Sequence, residues 1–124
     1  MPLVRISLRE GRPAAYRRAI ADAVHRAIVE TANVPELDRC QVITEHTSES
    51  LIYDPTYLDI GRTDDVMFVQ ITLNAGRSTA QKRALYGRVL ELLAEDVGAR
   101  PQDVLISLIE VSRENRSLGN CQAQ

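Results

Sequence analysis

Apolar and polar side chains alternate from Leu3 to Leu8, and Met67 to Leu73 runs in the same way with Val, Ile and Thr. Both stretches predict strands, since alternate side chains on a strand face opposite sides. A Gly-Arg pair ends each, at Gly11-Arg12 and Gly76-Arg77. The period then changes: Tyr16, Ile20, Ala23, Val24, Ala27, Ile28 and Thr31 recur at helical spacing, with Pro13 where a first helical turn tolerates proline. In the second half Leu85, Val89, Leu92 and Leu93 make the matching stripe, with Ser78 or Thr79 as the cap and an end near Gly98. Turns at Asn33-Val-Pro-Glu36 and Gly98-Ala-Arg-Pro101 lead into apolar strand candidates, Cys40 to Glu45 and Val104 to Glu110.

The two halves are copies of one unit. Leu3-Val-Arg-Ile-Ser-Leu-Arg-Glu-Gly-Arg12 lies over Phe68-Val-Gln-Ile-Thr-Leu-Asn-Ala-Gly-Arg77, and the same offset matches Ala15 with Ala80, Arg18 with Arg83, Val24 with Val89, Glu30 with Glu95 and Asp38 with Asp103. Each copy reads as a βαβ unit, whose crossover makes its strands parallel. The predicted class is therefore α+β: two tandem βαβ repeats forming a four-stranded sheet with both helices on one face. Residues 1–124 form one domain on this reading, with repeat one at about 2–46, a connection at 47–66, repeat two at about 67–112 and a C-terminal tail at 113–124. The connection is expected to be a loop with a short extended piece. The open sheet face carries several apolar positions and is expected to meet neighbouring subunits.

Composition narrows the function classes. Against 17 acidic residues stand 15 basic ones, and no basic run is long enough to neutralise a phosphate backbone, so nucleic acid is not an expected partner. No stretch approaches the length of a membrane helix and the N-terminus is charged too early for a signal peptide, which predicts no membrane partner and a cytoplasmic location. Cys40 and Cys121 lack the spacing of a zinc site or a disulfide framework and read as reduced bystanders. Aromatic residues make up only 4% and there is no Trp, so subunit burial is one way for such a core to gain area.

The common catalytic motifs are missing: no phosphate-cradling glycine loop, no G-x-S-x-G and no HExxH. The unusual feature is Met1-Pro2 in front of an apolar strand. Removal of Met1 exposes a secondary amine, which a peptide-bonded proline does not have. An α-amino group titrates near roughly 8. Apolar surroundings and a nearby guanidinium disfavour its cation and bring it towards a general base at working pH.

Pro2 to Arg12, the duplication and Ile71-Thr-Leu-Asn-Ala-Gly-Arg77 together resemble the tautomerase superfamily over nearly the whole chain. The first repeat looks like 4-oxalocrotonate tautomerase. The two-repeat length, Pro35-Glu-Leu-Asp-Arg39, Ile43-Thr-Glu-His46 and Ser117-Leu-Gly-Asn120 look more like the malonate semialdehyde decarboxylase group. The resemblance implies a homotrimer with sites between subunits, a small carboxylate substrate, and neither metal nor organic cofactor. It implies Pro2 as the acid–base group, Arg77 as the ligand of the substrate carboxylate, and Asp38 as the group that orients a water or the proline; Asp38 also reads as a turn residue.

Arg12, the first-repeat counterpart of Arg77, should approach Met67, which offers no amine, and so marks a dead second site. His25, mid-helix, and His46, at a strand end, read as structural. Where the decarboxylase group has a second arginine this chain has Leu73, Asn74 and Ala75. Where that group has a Trp-Ser-Phe-Gly wall it has Arg116-Ser-Leu118-Gly119. Leu118 then lines a less aromatic pocket, and Arg116 has two readings, a replacement for the lost arginine and a solvated tail residue. Cys40 stands where 4-oxalocrotonate tautomerase has its other arginine, which speaks against that enzyme's dicarboxylate. The expected reaction is keto–enol tautomerisation of a small 2-oxo acid. The alternatives are decarboxylation or hydration of a three-carbon acid with Pro2 cationic, and a non-catalytic binding protein.

Overall fold

In the first strand, β1 (Leu3–Arg9), Val4, Ile6 and Leu8 are buried while Arg5 is exposed, as the alternation demands. The structure, a computed structural model, describes residues 1–120, which leaves Cys121 and the end of the expected tail outside the described residues. The remaining elements are α1 (Ala14–Thr31), β2 (Cys40–His46), β3 (Met67–Asn74), α2 (Thr79–Val97) and β4 (Val104–Val111). They form a four-stranded sheet in the order β2-β1-β3-β4, with β1/β2 and β3/β4 parallel and β1/β3 antiparallel.

Both helices lie on one face and share a single core. Ile20, Val24 and Ile28 of α1 and Leu85, Val89, Leu92 and Leu93 of α2 pack with the inward residues of β1 and β3. Leu93 is fully buried, and Leu93→Ala is expected to cost about 2–5 kcal/mol through lost burial plus the cavity left behind. Urea melts at one protein concentration should show a lower midpoint at unchanged slope. The opposite sheet face carries Val42, Leu105 and Ile109 about two-fifths exposed.

The ends of the helices follow from local chemistry. Pro13 sits just before the first turn of α1, one position earlier than its sequence suggested, because its fixed φ of −69° joins an extended ψ of 162°. Ser78 and Gln81 form a capping box: the Ser78 hydroxyl accepts from the Gln81 N–H at 3.1 Å, and the Gln81 side chain accepts from the Ser78 N–H at 3.0 Å. Gly98 ends α2 at φ 67°, and Asn33, its counterpart in the first repeat, takes φ 59°. Glycine and asparagine are the residues that reach this left-handed conformation at little cost.

The helices are tied by Glu30, which accepts from Arg88 at 2.6 Å and from Arg26 at 2.9 Å. The Arg88 hydrogen bond, then the Arg26 one, hold its carboxyl below the ordinary 4.5. A carboxyl depressed on folding stabilises at pH above its unfolded value, and that stability is lost as pH falls through the lower folded value. Melting temperatures followed from pH 6 down to pH 3 should therefore fall less steeply in Glu30→Gln than in the parent.

The duplication is kept residue by residue. Leu3 pairs with Cys40 in the first repeat, and Phe68 pairs with Leu105 in the second. Across the centre, Arg5 pairs with Gln70, its own repeat counterpart, so the pseudo-two-fold axis passes there. The start of β1 beside the end of β3 therefore has a twin at the start of β3 beside the end of β1.

The connection differs from its expectation. In place of an extended piece it holds a short 3-10 turn, Tyr57–Asp59, in which Leu58 and Asp59 have φ of 58° and 57°. Asp54 initiates it by accepting from the Thr56 N–H at 2.8 Å and the Thr56 hydroxyl at 3.0 Å.

Candidate functional site

The antiparallel register sets the first half of the site. Leu3 pairs with Thr72, and β3 continues to Asn74, so the end of β3 stands beside Met1 and Pro2. Pro2 is buried at the head of β1, while Met1 lies at the surface. The second half comes from the C-terminal segment. A 3-10 turn, Arg113–Asn115, follows β4, and Gly119 at φ 131° and Asn120 at φ 55° turn the chain again at the cavity. A φ of 131° is readily available only to glycine.

Between these parts lies a cavity of about 410 Å³ lined by Met1, Asp38, Asn74, Arg113, Leu118, Gly119 and Asn120. Arg116 is tied to two of these lining residues: its guanidinium donates to the Met1 carbonyl oxygen and, at 3.3 Å, to Asn74 Oδ1. The Met1 carbonyl belongs to the peptide group that acylates Pro2, so Arg116 stands one peptide group from the Pro2 nitrogen. Asp38 is half-buried, on a turn whose N–H donates to the Pro35 carbonyl at 3.0 Å. Its carboxylate makes no hydrogen bond or ion pair among the described residues.

The structure thus brings together Met1-Pro2, Asp38, Arg116 and Leu118 from the residues singled out in the sequence. Arg77 lies next to them and is turned away. Its Nε and Nη2 donate to the Ala32 carbonyl at 3.1 and 3.0 Å, and its Nη1 donates to the Asn74 carbonyl at 2.9 Å. It lines a separate apolar cleft with Ala32, Leu73 and Leu108. Asn74 is the joint between the two arginines, held through its carbonyl by Arg77 and through its side chain by Arg116.

Arg113, Asn120 and Asn74, the last of which looked in the sequence only like the loss of an arginine, also line the cavity. The Arg113-x-x-Arg116 spacing was the available signal. His25 is a satisfied core residue, its Nε2 2.7 Å from the Glu36 carbonyl oxygen, and His46 is held between Thr44 and Ser50. Cys40 is exposed and unbridged. Among the described residues no helix is long and apolar enough to cross a membrane, and no cluster of His, Cys, Asp and Glu is placed to hold a metal ion.

Comparison with known proteins agrees with this fold. Two families, each described as tautomerase enzyme, match residues 38–119 and 2–59. The Bacillus subtilis (strain 168) protein named probable tautomerase YusQ is 38% identical over 124 residues, covering all of this chain and 98% of the relative. Among solved structures, FG41 malonate semialdehyde decarboxylase inhibited by 3-bromopropiolate superposes with a TM-score of 0.90 at 35% identity, covering 98% of this chain and 92% of that one. A fused 4-OT described as a symmetric trimer, at 18% identity and a TM-score of 0.80, covering 98% of this chain and 94% of that one, shares the fold. The chain belongs to the tautomerase superfamily, as a fused two-repeat member, and is an enzyme of that class.

Proposed function

We propose that the chain, once Met1 has been removed, catalyses keto–enol tautomerisation of a small 2-oxo acid through the secondary amine of Pro2. The observation that carries this reading is the position of the Met1 carbonyl. Met1 lines the cavity, and its carbonyl takes a hydrogen bond from Arg116 while acylating the Pro2 nitrogen. Loss of Met1 turns that nitrogen from an amide into an amine and leaves a guanidinium donor facing the vacated place. A substrate carboxylate or enolate oxygen is the natural replacement for a carbonyl oxygen there, because a charged acceptor makes a stronger bond with guanidinium than a neutral one.

The proton inventory is simple. The Pro2 lone pair takes the proton of the enol hydroxyl, the electron pair left on oxygen forms the carbonyl, and the carbon end of the enolate takes the proton back from the Pro2 cation. The amine is regenerated and nothing is consumed. Arg116 holds the charge that develops on oxygen, and Arg113 adds a second cation on the same cavity wall. Arg77 supports Asn74 in this arrangement; it reaches substrate only by leaving the Ala32 and Asn74 carbonyls. Leu118 gives the pocket an apolar side.

The second reading is decarboxylation or hydration of a three-carbon acid, favoured by the likeness to malonate semialdehyde decarboxylase and by Asp38, which lines the cavity, has no side-chain partner among the described residues and is suited to orient water. It needs Pro2 to stay cationic at neutral pH. Nitrogen-15 NMR titration of the Pro2 amine separates the two: a midpoint below neutrality supports the base, and one above pH 8 sinks the tautomerase reading in favour of the acid. We further propose a homotrimer, with Val42, Leu105 and Ile109 covered between subunits; a sedimentation mass of one chain is incompatible with it.

A further inference from the structure

The pseudo-two-fold axis through Arg5 and Gln70 carries the Pro2 site onto a twin at the other end of β1. By the repeat offset Pro2 becomes Met67, Asp38 becomes Asp103, Asn74 becomes Arg9 and Arg77 becomes Arg12. Arg9 and Arg12 line one cavity in the structure, with Met67 paired to Leu8 and Asp103 bonded to Thr63 close by in the chain fold. A cavity of about 240 Å³ opens between Arg9, Arg12, Tyr16, His46, Asp64 and Asp65, with Val66 beneath. It has no amine, since Met67 is internal, yet it keeps two guanidinium groups.

Both are engaged by neighbouring residues of the connection. Arg12 Nη2 meets Asp65 Oδ1 at 2.7 Å with the guanidinium over the Tyr16 ring at 4.8 Å. Arg9 Nη1 meets Asp64 Oδ1 at 3.2 Å, an oxygen that also accepts from the Tyr53 hydroxyl at 2.7 Å. Arg9 further donates to the Leu51 carbonyl at 3.3 and 3.1 Å. Asp103, 1% exposed, accepts the Thr63 N–H at 2.7 Å and the Thr63 hydroxyl at 2.8 Å. Arg9, Arg12 and Asp103, the counterparts of Asn74, Arg77 and Asp38, therefore all hold the segment 51–65.

We propose that this twin is a carboxylate-binding site occupied by the chain itself: Asp64 and Asp65 stand where a small external carboxylate would lie, so the site clamps the connection instead of taking a ligand. Asp65 and Asp64 are respectively 54% and 78% exposed, so the internal ligands sit in the cavity mouth rather than in its floor. Neutralising them without changing their shape should free the two arginines for an anion from solution.

The test is Asp64→Asn/Asp65→Asn titrated with malonate, observing the arginine Nε–Hε NMR signals. In the parent, malonate should leave Arg9 and Arg12 unmoved at concentrations that shift Arg116. In the double variant both should shift, with an apparent Kd at least ten-fold below any seen there in the parent, and addition of Arg12→Gln should abolish the response. A folded double variant whose Arg9 and Arg12 signals stay fixed overturns the proposal, and so does a response that survives Arg12→Gln. If the double variant does not fold, Asp65→Asn alone carries the same test through Arg12. The readout is binding at the twin cavity, so it stands whether or not Pro2 proves to be the acid–base group.

Discussion

Protein that begins at Pro2 should ketonise an enol such as phenylenolpyruvate, and the same chain with Met1 or any longer extension still attached should do so at least about 10²-fold more slowly. General acid–base groups contribute about 10²–10⁴-fold, and acylation removes this one entirely, because an amide nitrogen has no lone pair to offer a proton. Met1 is part of the cavity lining, so the difference in rate combines loss of the amine with a change in the binding surface. Met1 also occupies Arg116, so the extended form should bind substrate carboxylate more weakly as well. Pro2→Ala is the more discriminating variant. It leaves a free primary amine in the same place and should keep part of the activity, whereas the extended form keeps none of the amine's share. Intact mass establishes which form is in the tube. Equal rates for the Pro2-initiated and Met1-retaining forms would exclude the mechanism.

Much of this architecture was legible because strand and helix periods are properties of the local sequence. Leu3 to Leu8, the stripe from Ile20 to Ile28 and that from Leu85 to Leu93 could be placed without knowing what they pack against. The repeat offset is kept in the sheet, where the pairing of Leu3 with Cys40 recurs as that of Phe68 with Leu105, although the register itself could not be read from the sequence. The direction of long side chains was not legible. Arg77 and Arg12 occupy the same place in their repeats, yet Arg77 turns to the carbonyl at the end of α1 and Arg12 to Asp65. Which acceptor an arginine finds depends on segments distant in sequence, here the turn after α1 and the connection. Arg113 and Asn120 were missed for the same reason, since they line the cavity only through the way the segment after β4 folds back beside Met1 and Asn74. Asp103 shows how such choices divide two copies: identical to Asp38 in type and offset, it is buried under Thr63 while Asp38 keeps its carboxylate at an open cavity.

Arg116→Gln should lower kcat/KM for an enol acid by roughly 10–100-fold and move the limb of the pH–rate profile set by Pro2 to higher pH. The first effect follows from losing a charged hydrogen bond to the substrate carboxylate or enolate, about 1.5–3 kcal/mol. The second has a separate cause. A guanidinium one peptide group from the Pro2 nitrogen opposes protonation of the amine, so replacing it by a neutral amide makes the cation easier to form. The two effects part company in Arg116→Lys, which keeps the positive charge but loses the planar pair of donors: the limb should return towards its parent position while much of the loss in KM remains. If Arg116 were only a solvated tail residue, neither the limb nor KM would move in any of these variants. If it served only to pin the tail through Asn74, kcat/KM would fall with the limb unmoved. A full response in both would place the contribution of Arg116 in the electrostatics of the amine: a neighbouring cation favours the neutral base that the proposed tautomerisation needs over a protonated acid.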